Sequence, residues 1–280
     1  MRVFFLALAL AAVISAAAAE PANSRAAYVE RRGMIEIDTQ CHLLRADIRA
    51  AIEVGAAQAR GALLREGWNL ARLADLDRAV ADAAQSRACN DPRNASAAAA
   101  ARTAFAAFSN VSYKEFPGWD RSWLARRVVG ADGFRLSQTI DTPMRAVFGV
   151  RDQNNQQHMV LLAPVARGQT QPSAAHLIMR DATRARLVEI SLPQRMAQGL
   201  EAGAPAPSDA LEFSGARYIE PMNGGGAQIV FVFPDAAFGR LLALDPRESV
   251  VLRVETGRAT QELLVEVGDV AAARRFLTLR

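Results

Sequence analysis

The sequence predicts an α+β protein in which an N-terminal three-helix bundle, pinned by a disulfide, precedes an antiparallel β-sandwich-like domain with a C-terminal helix. Three observations lead to this prediction. Apolar residues recur at steps of three and four between about residues 34 and 110, short β-like runs follow Pro117-Gly118, and the chain has only two cysteines. We divide the chain into a signal peptide (1–19), a helical domain (20–118) and a β-rich domain (119–280).

The first nineteen residues have the pattern of a secretory signal peptide. Arg2 gives a positive start, the run from Val3 to Ile14 is apolar, and alanines lead up to a cleavage site between Ala19 and Glu20. An uncleaved anchor is the alternative, but the run is shorter than the ~20 residues that span a bilayer. Since no later segment could span a membrane, we expect a periplasmic or secreted chain with no membrane span after signal removal.

Export decides how the two cysteines, Cys41 and Cys89, are interpreted. In an oxidising compartment an isolated pair of cysteines normally forms a disulfide. Two antiparallel helices joined at Gly67 would bring both residues to the same end of the bundle. The alternative, a redox-active dithiol, usually has Cys-x-x-Cys spacing, so we predict a structural Cys41–Cys89 disulfide.

Three amphipathic helices are predicted before residue 110. Asn90 or Asp91 can cap the third helix, and Pro92 suits its first turn. This helix is rich in alanine, which favours helix formation but supplies little volume to a core. The three apolar stripes are, in order, Cys41, Leu44, Ile48, Ile52, Gly55, Ala59 and Ala62; Leu73, Leu76, Val80 and Ala83; and Ala98, Ala101, Phe105 and Phe108.

Short strands separated by turn residues follow, a pattern typical of an antiparallel sandwich or partial barrel. Asp132-Gly133 is a hairpin signal, and residues 198–209 are predicted to form a long surface loop. Near the end, Pro234-Asp235 opens a short helix, and Asp269 caps a final one. The predicted strands are 123–129, 134–140, 144–151, 158–165, 177–180, 218–220, 228–233, 250–255 and 262–267.

The last fifth of the chain has a strand–helix–hairpin–helix order. The segments that carry it are Phe233-Pro234-Asp235 with Leu241-Leu242, Val250 to Val254, Leu263 to Val267, and Gly268 to Ala273 before Leu277. This part resembles the C-terminal part of the invasion-associated locus B family of periplasmic proteins. The family's β-domain cysteines are missing here, and the helical first part is foreign to it. The resemblance implies an envelope-facing, non-catalytic β module.

The charge pattern argues against nucleic acid as a partner. The formal net charge is only +4, although the pI is about 9.6. All basic residues except Lys114 are arginine, which indicates a GC-rich, bacterial coding bias and explains the high pI. The basic residues are not clustered as binding to phosphates requires.

The three histidines are His42, His158 and His176, and none has the spacing of a zinc site. His42 could activate Cys41 only if that cysteine were free. His158 or His176 could join a triad assembled in space, but no Gly-x-Ser-x-Gly elbow is present. Glu115 and Asp120 could form a carboxylate pair, although a solvated junction explains them better.

The glycine-rich run at 223–226 lacks the features of a phosphate-binding loop and is interpreted as a turn. The sequence therefore predicts no catalytic residues, no cofactor and no metal. Our first interpretation is an exported, non-enzymatic binding or structural protein of the bacterial envelope, whose partner is an envelope protein or a cell-wall component. The alternatives are a periplasmic hydrolase with a His–carboxylate site and a carrier that holds a small apolar ligand in the β module.

Overall fold

The computed structural model describes residues 23–153, 156–187, 210–222 and 226–279. The protein is α+β, as predicted, with six helices in this part of the chain. The helices are α1 (Ser24–Cys41), α2 (Ala46–Arg65), α3 (Leu70–Gln85), α4 (Pro92–Ser109), α5 (Asp235–Leu242) and α6 (Val270–Thr278). The predicted cleavage site at Ala19 and Glu20, the loop at 198–209 and most of the glycine-rich run lie outside the described residues.

The strands form two sheets in which all neighbours are antiparallel. The strands are β1 (Tyr113–Pro117), β2 (Ser122–Arg126), β3 (Phe134–Ile140), β4 (Ala146–Gln153), β5 (Gln156–Val165), β6 (Pro172–Arg180), β7 (Ala210–Ser214), β8 (Ala216–Pro221), β9 (Ala227–Val232), β10 (Ser249–Thr256) and β11 (Ala259–Glu266). One sheet has seven strands in the order β1-β2-β3-β4-β5-β9-β8, and the other has four in the order β11-β10-β6-β7. The sequence missed β1 and β7, which lack a clear alternating pattern.

The predicted three-helix bundle is wrong in number, because four helices precede the sheets. The first predicted stripe runs across a break between α1 and α2. His42 adopts a left-handed conformation (φ 52°) after Cys41, and the Asp38 carboxylate accepts the Leu44 N–H at 2.7 Å. Because apolar positions continue on both sides of this break, their spacing concealed it.

The first three helices reverse direction twice, and α1 packs against both α2 and α3. The start of α1 meets the end of α2, where the Ser24 hydroxyl donates to Glu66. The Tyr28 hydroxyl donates to the Asp77 carboxylate of α3 at 2.6 Å, and burial together with this bond raises the pKa of Tyr28. The ends of α1 and α3 therefore lie on the same side of the bundle.

This arrangement brings the two cysteines together, and the predicted Cys41–Cys89 disulfide is present. Cys41 is the last residue of α1, and Cys89 lies in the turn between α3 and α4. The bridge thus joins the end of the first helix to the start of the fourth. The prediction of the pair was correct, although the two cysteines are not on the pair of helices that the sequence suggested.

The largest apolar core combines both sheets with α5, α6 and part of α2. It includes the fully buried Phe148 and Phe231 of the seven-stranded sheet, Leu252 of the four-stranded sheet, and Phe276 of α6. Trp123 is also fully buried, and its indole N–H donates to the carbonyls of Glu266 and Val267. The helical and β-rich parts are therefore packed against each other along α2 and α6.

A buried ion pair lies at this junction. The guanidinium of Arg65, at the end of α2, binds both carboxylate oxygens of Asp269 at 3.1 and 3.2 Å. The two side chains are 8% and 1% exposed, respectively. Asp269 is the N-cap residue of α6, but its side chain makes no capping bond because it faces Arg65. Gly61 permits this approach, since a Cβ there would lie 1.8 Å from an Asp269 oxygen.

The predicted domain boundary at residue 118 falls within the β1–β2 hairpin, which pairs residues 113–117 with 122–126. The turn of this hairpin is held by Glu266, whose carboxylate accepts the backbone N–H groups of Trp119, Asp120 and Arg121. Arg65 also donates to the Pro117 carbonyl at 3.1 Å. The β1–β2 hairpin is therefore attached both to the end of α2 and to the last strand of the four-stranded sheet.

Removing one partner of the Arg65–Asp269 pair should strongly destabilise the protein. We expect Asp269→Asn to lower the free energy of unfolding by about 3–5 kcal/mol, since it leaves the Arg65 charge buried without its counterion. Urea denaturation followed by circular dichroism measures this loss. The control is Asp75→Asn, which breaks an exposed pair with Arg78 and should cost at most about 1 kcal/mol. Equal losses in the two variants would contradict the assigned role.

The disulfide should make a separate, reductant-sensitive contribution. It closes a span of 48 residues, for which loop entropy predicts about 4 kcal/mol of stabilisation. We expect a reductant to lower the stability of the native chain by up to that amount and to leave a Cys41→Ala/Cys89→Ala variant unchanged. A reductant effect of the same size in both proteins would show that the bridge does not cause it.

Candidate functional site: a cavity between the N-terminal helices

A large concave feature lies between α4 and the other N-terminal helices. It has a volume of about 1120 Å³ and is partly open to solvent. Ligand sites commonly have roughly 300–1,000 Å³, so this cavity exceeds that range. Its lining comes from α1, α2, α3, α4 and the first strand, β1. The cavity thus lies mainly among the N-terminal helices, whereas the sequence placed the apolar-ligand alternative in the β module.

Small side chains explain why this space is not filled. From α3, Ala79 and Ala83 line the cavity, and α4 contributes Ala97, Ala100 and Ala104. Methyl groups at these positions cannot reach across to α1 and α2 as leucine or phenylalanine would. Larger apolar groups, among them Met34, Ile52 and Phe105, form the remaining walls. The lining is therefore mostly apolar, as in many sites for small molecules.

The start of α4 is fixed to the rest of the helical part. Its N-cap is Asp91, one of the two residues that the sequence allowed, and its carboxylate accepts the Arg93 N–H at 2.8 Å. Asn94 is fully buried and donates to the Ala88 carbonyl, while Arg87 donates to Asn94 at 3.3 Å. The disulfide at Cys89 ties the same region to α1.

The end of α4 is held by Arg127, which follows β2. Its guanidinium donates to the carbonyls of Phe108, Ser109 and Val111 at 2.8–3.2 Å. It also lies over the Phe276 ring, 4.1 Å from the centroid. A cation at this position satisfies carbonyls that a helix end leaves free and opposes the negative end of its dipole. Between these two ends Ala98 packs against α1 and α3, while Ala97, Ala100 and Ala104 form a wall of the cavity.

Two cations line the cavity close to one another. The Arg31 guanidinium of α1 donates to the Gly55 carbonyl of α2 at 2.7 Å and lies where a Gly55 side chain would be. Lys114 of β1 is half-buried, with its ammonium 5.8 Å from the Phe116 ring centroid. Burial lowers the pKa of both groups, and the Arg31 charge further lowers the pKa of Lys114. Within the described ranges, neither group has a carboxylate at salt-bridge distance.

The three histidines do not lie in this cavity. His42 ends α1 and is exposed beside the disulfide. His158 Nδ1 is 3.8 Å from the Asp235 carboxylate, which is almost fully exposed. His176 Nδ1 is 2.9 Å from a Glu212 oxygen and 3.2 Å from the Ser214 hydroxyl.

The His176 cluster resembles a hydrolytic triad in composition but not in geometry. A triad has its nucleophile and its acid on opposite ring nitrogens, whereas Ser214 and Glu212 face the same one. The second nitrogen, Nε2, lies 3.9 Å from Glu255. These residues come from adjacent strands of the four-stranded sheet, and both carboxylates are about half exposed. The cluster is a polar network on the surface of this sheet.

Glu115 and Asp120, the other predicted pair, are both exposed at the β1–β2 hairpin. The backbone N–H of Asp120 donates to Glu266, so the carboxylate that organises this turn is a distant one. Across the described ranges, no group of three or more His, Cys, Asp or Glu side chains is arranged to hold a metal. None of the helices described has both the length and the apolarity to cross a lipid bilayer.

Comparison with known proteins adds no assignment. No family model matches the chain, and neither a curated protein nor a solved structure matches it. The resemblance to the invasion-associated locus B family therefore stays a prediction.

Arg127 should be needed to hold the end of α4 against the sheet. We expect Arg127→Met to destabilise this helix end by about 1–2 kcal/mol, because the carbonyls lose a cation that also packs on an aromatic ring. Hydrogen exchange of amides 105–109 should then be about tenfold faster. The neighbouring Arg126 pairs with the exposed Asp132, so Arg126→Met serves as the control. Similar exchange in the two variants would contradict the role of Arg127.

Proposed function

We propose that this chain is an exported, non-enzymatic binding protein of the bacterial envelope, and that the cavity between α4 and helices α1–α3 holds its ligand. The observation that carries the proposal is a cavity of about 1120 Å³ with a mainly apolar lining. An apolar molecule gains about 25 cal/mol for each Å² of its surface that such a site removes from water. The β-rich part serves as the support on which the helices pack. A sandwich-like arrangement of its two sheets is part of this proposal.

The anchoring of α4 supports a binding role. A helix that lined an accidental gap would be expected to collapse onto its neighbours, because unfilled space loses dispersion contacts. Here the disulfide and Asn94 hold one end of the helix, and Arg127 holds the other. These contacts keep the wall in position whether or not the cavity is filled.

The location is supported by the sequence and by the covalent bridge. The signal-like start at residues 1–19 predicts export, and a Cys41–Cys89 disulfide is compatible with an oxidising compartment. An envelope protein or cell-wall component remains the proposed partner of the protein as a whole. In the His176 cluster the hydroxyl and the nearest carboxylate face the same ring nitrogen, unlike in a catalytic triad. We therefore rank a hydrolase as the second candidate function.

Binding in the cavity can be tested with N-phenyl-1-naphthylamine, an uncharged dye whose fluorescence increases in apolar surroundings. We expect the mature chain to bind the dye saturably. Ala100→Phe places a ring in the cavity and should weaken dye binding about tenfold or more. The matched control is Ala99→Phe, on the neighbouring exposed position that does not line the cavity.

The pair of variants separates the cavity from nonspecific surface binding. Weakened binding in Ala100→Phe alone supports the proposed site. Equal binding by the two variants and the native chain would exclude the cavity as the binding site, and an absence of saturable binding by the native chain would refute the proposal. Thermal unfolding of each variant shows whether it is folded before its binding is measured.

A further inference from the structure

The charges around the cavity are unequal. Among the described residues, four cations line it (Arg25, Arg31, Arg87 and Lys114), and Glu30 is the one carboxylate. Burial lowers the pKa of Arg31, and the negative charge of the adjacent Glu30 raises it by a smaller amount. The Glu30 side chain is exposed. The cavity is therefore apolar along its walls and positive where Arg31 and Lys114 approach each other.

Resting on the function proposed above, we propose that the ligand is an anionic amphiphile. Its head, a carboxylate or a phosphate, binds between Arg31 and Lys114, and its single long apolar chain lies against the alanine-rich wall of α3 and α4. The two groups are partly removed from water and make no ion pair with the described residues, so an anion would supply the missing charge.

The two cations differ in how firmly they are placed. Arg31 is fixed by its bond to the Gly55 carbonyl, and the absence of a Gly55 side chain gives the guanidinium room beside α2. Its other N–H groups can bind an oxyanion in the forked geometry that suits carboxylates and phosphates. Lys114 is the only lysine of the chain and contributes a flexible point charge from β1.

Four ligands with the same sixteen-carbon chain test the charge of the head. These are palmitate, hexadecyl phosphate, hexadecanol and hexadecyltrimethylammonium, each used below its micelle concentration to displace N-phenyl-1-naphthylamine. We expect the two anions to displace the dye at concentrations at least tenfold lower than hexadecanol, and the cation to be weaker still. The tighter anion identifies the head as a carboxylate or a phosphate.

Variants at the two cations show where the head binds. Lys114→Met and Arg31→Met keep apolar side chains of similar length but remove the charge, and each should weaken palmitate binding about tenfold with little effect on hexadecanol. Lys114→Arg keeps a positive charge at this position and should therefore retain the preference for palmitate over hexadecanol that Lys114→Met loses. Arg72→Met is the control, since Arg72 lies over the Trp68 ring and does not line the cavity.

The single lysine also permits a direct spectroscopic test. Reductive methylation with ¹³C-formaldehyde labels Lys114 and the N-terminal amine and preserves their positive charge. We expect palmitate to shift the Lys114 methyl signal and to raise the pKa of this amine, whereas hexadecanol should do neither. A change in the N-terminal signal alone would place the anion elsewhere and overturn the proposal.

The outcomes distinguish this inference from the function on which it rests. If hexadecanol binds as tightly as palmitate, the site is apolar without head recognition, and only the inference fails. If the native chain does not bind the dye, both the proposed function and the inference fail. Both also fail if dye binding increases when the protein is diluted, because a second copy of the chain then covers the cavity. If the Met variants retain the preference for anions, the head lies away from Arg31 and Lys114, and the inference is overturned.

Discussion

The ion pair between Arg65 and Asp269 joins the two parts of the molecule. Both side chains are nearly excluded from water, and burying either charge without the other would cost a large desolvation free energy. Arg65 ends α2, which forms one side of the cavity, and Asp269 begins α6, which packs into the core of the sheets. The position of the cavity walls relative to the sheets therefore depends on a contact far from the cavity itself.

The cavity exists because of a balance between helix propensity and side-chain volume. Alanine is the best helix former, so α4 is stable as a helix although few of its side chains are buried. The same residues cannot fill the space beside α1–α3, and contacts at both ends prevent α4 from closing it. One of these contacts is a disulfide, which a reductant breaks, and the other is formed by the cation of Arg127, which a reductant does not affect.

Much of the fold could be predicted from the sequence, since the disulfide, the cap at Asp91 and most strands follow from local patterns. The break at His42 could not, because the apolar spacing continues across it and the signal is a single backbone conformation. The low volume of α4 was visible as alanine content, but its consequence depends on where the ends of the helix are held. The proximity of Arg31 and Lys114 is also invisible in sequence, since it arises only when the fold brings both side chains to the same cavity.

The partners in the buried ion pair are 204 residues apart along the chain. The N-terminal helices can form through contacts between near neighbours, whereas the ion pair between Arg65 and Asp269 forms only after residue 269 has been added. A chain that stops before this position would lack the carboxylate that binds the Arg65 guanidinium at this junction. The contact between α2 and α6 therefore forms only after residue 269 has been synthesised, and a chain that stops earlier lacks it.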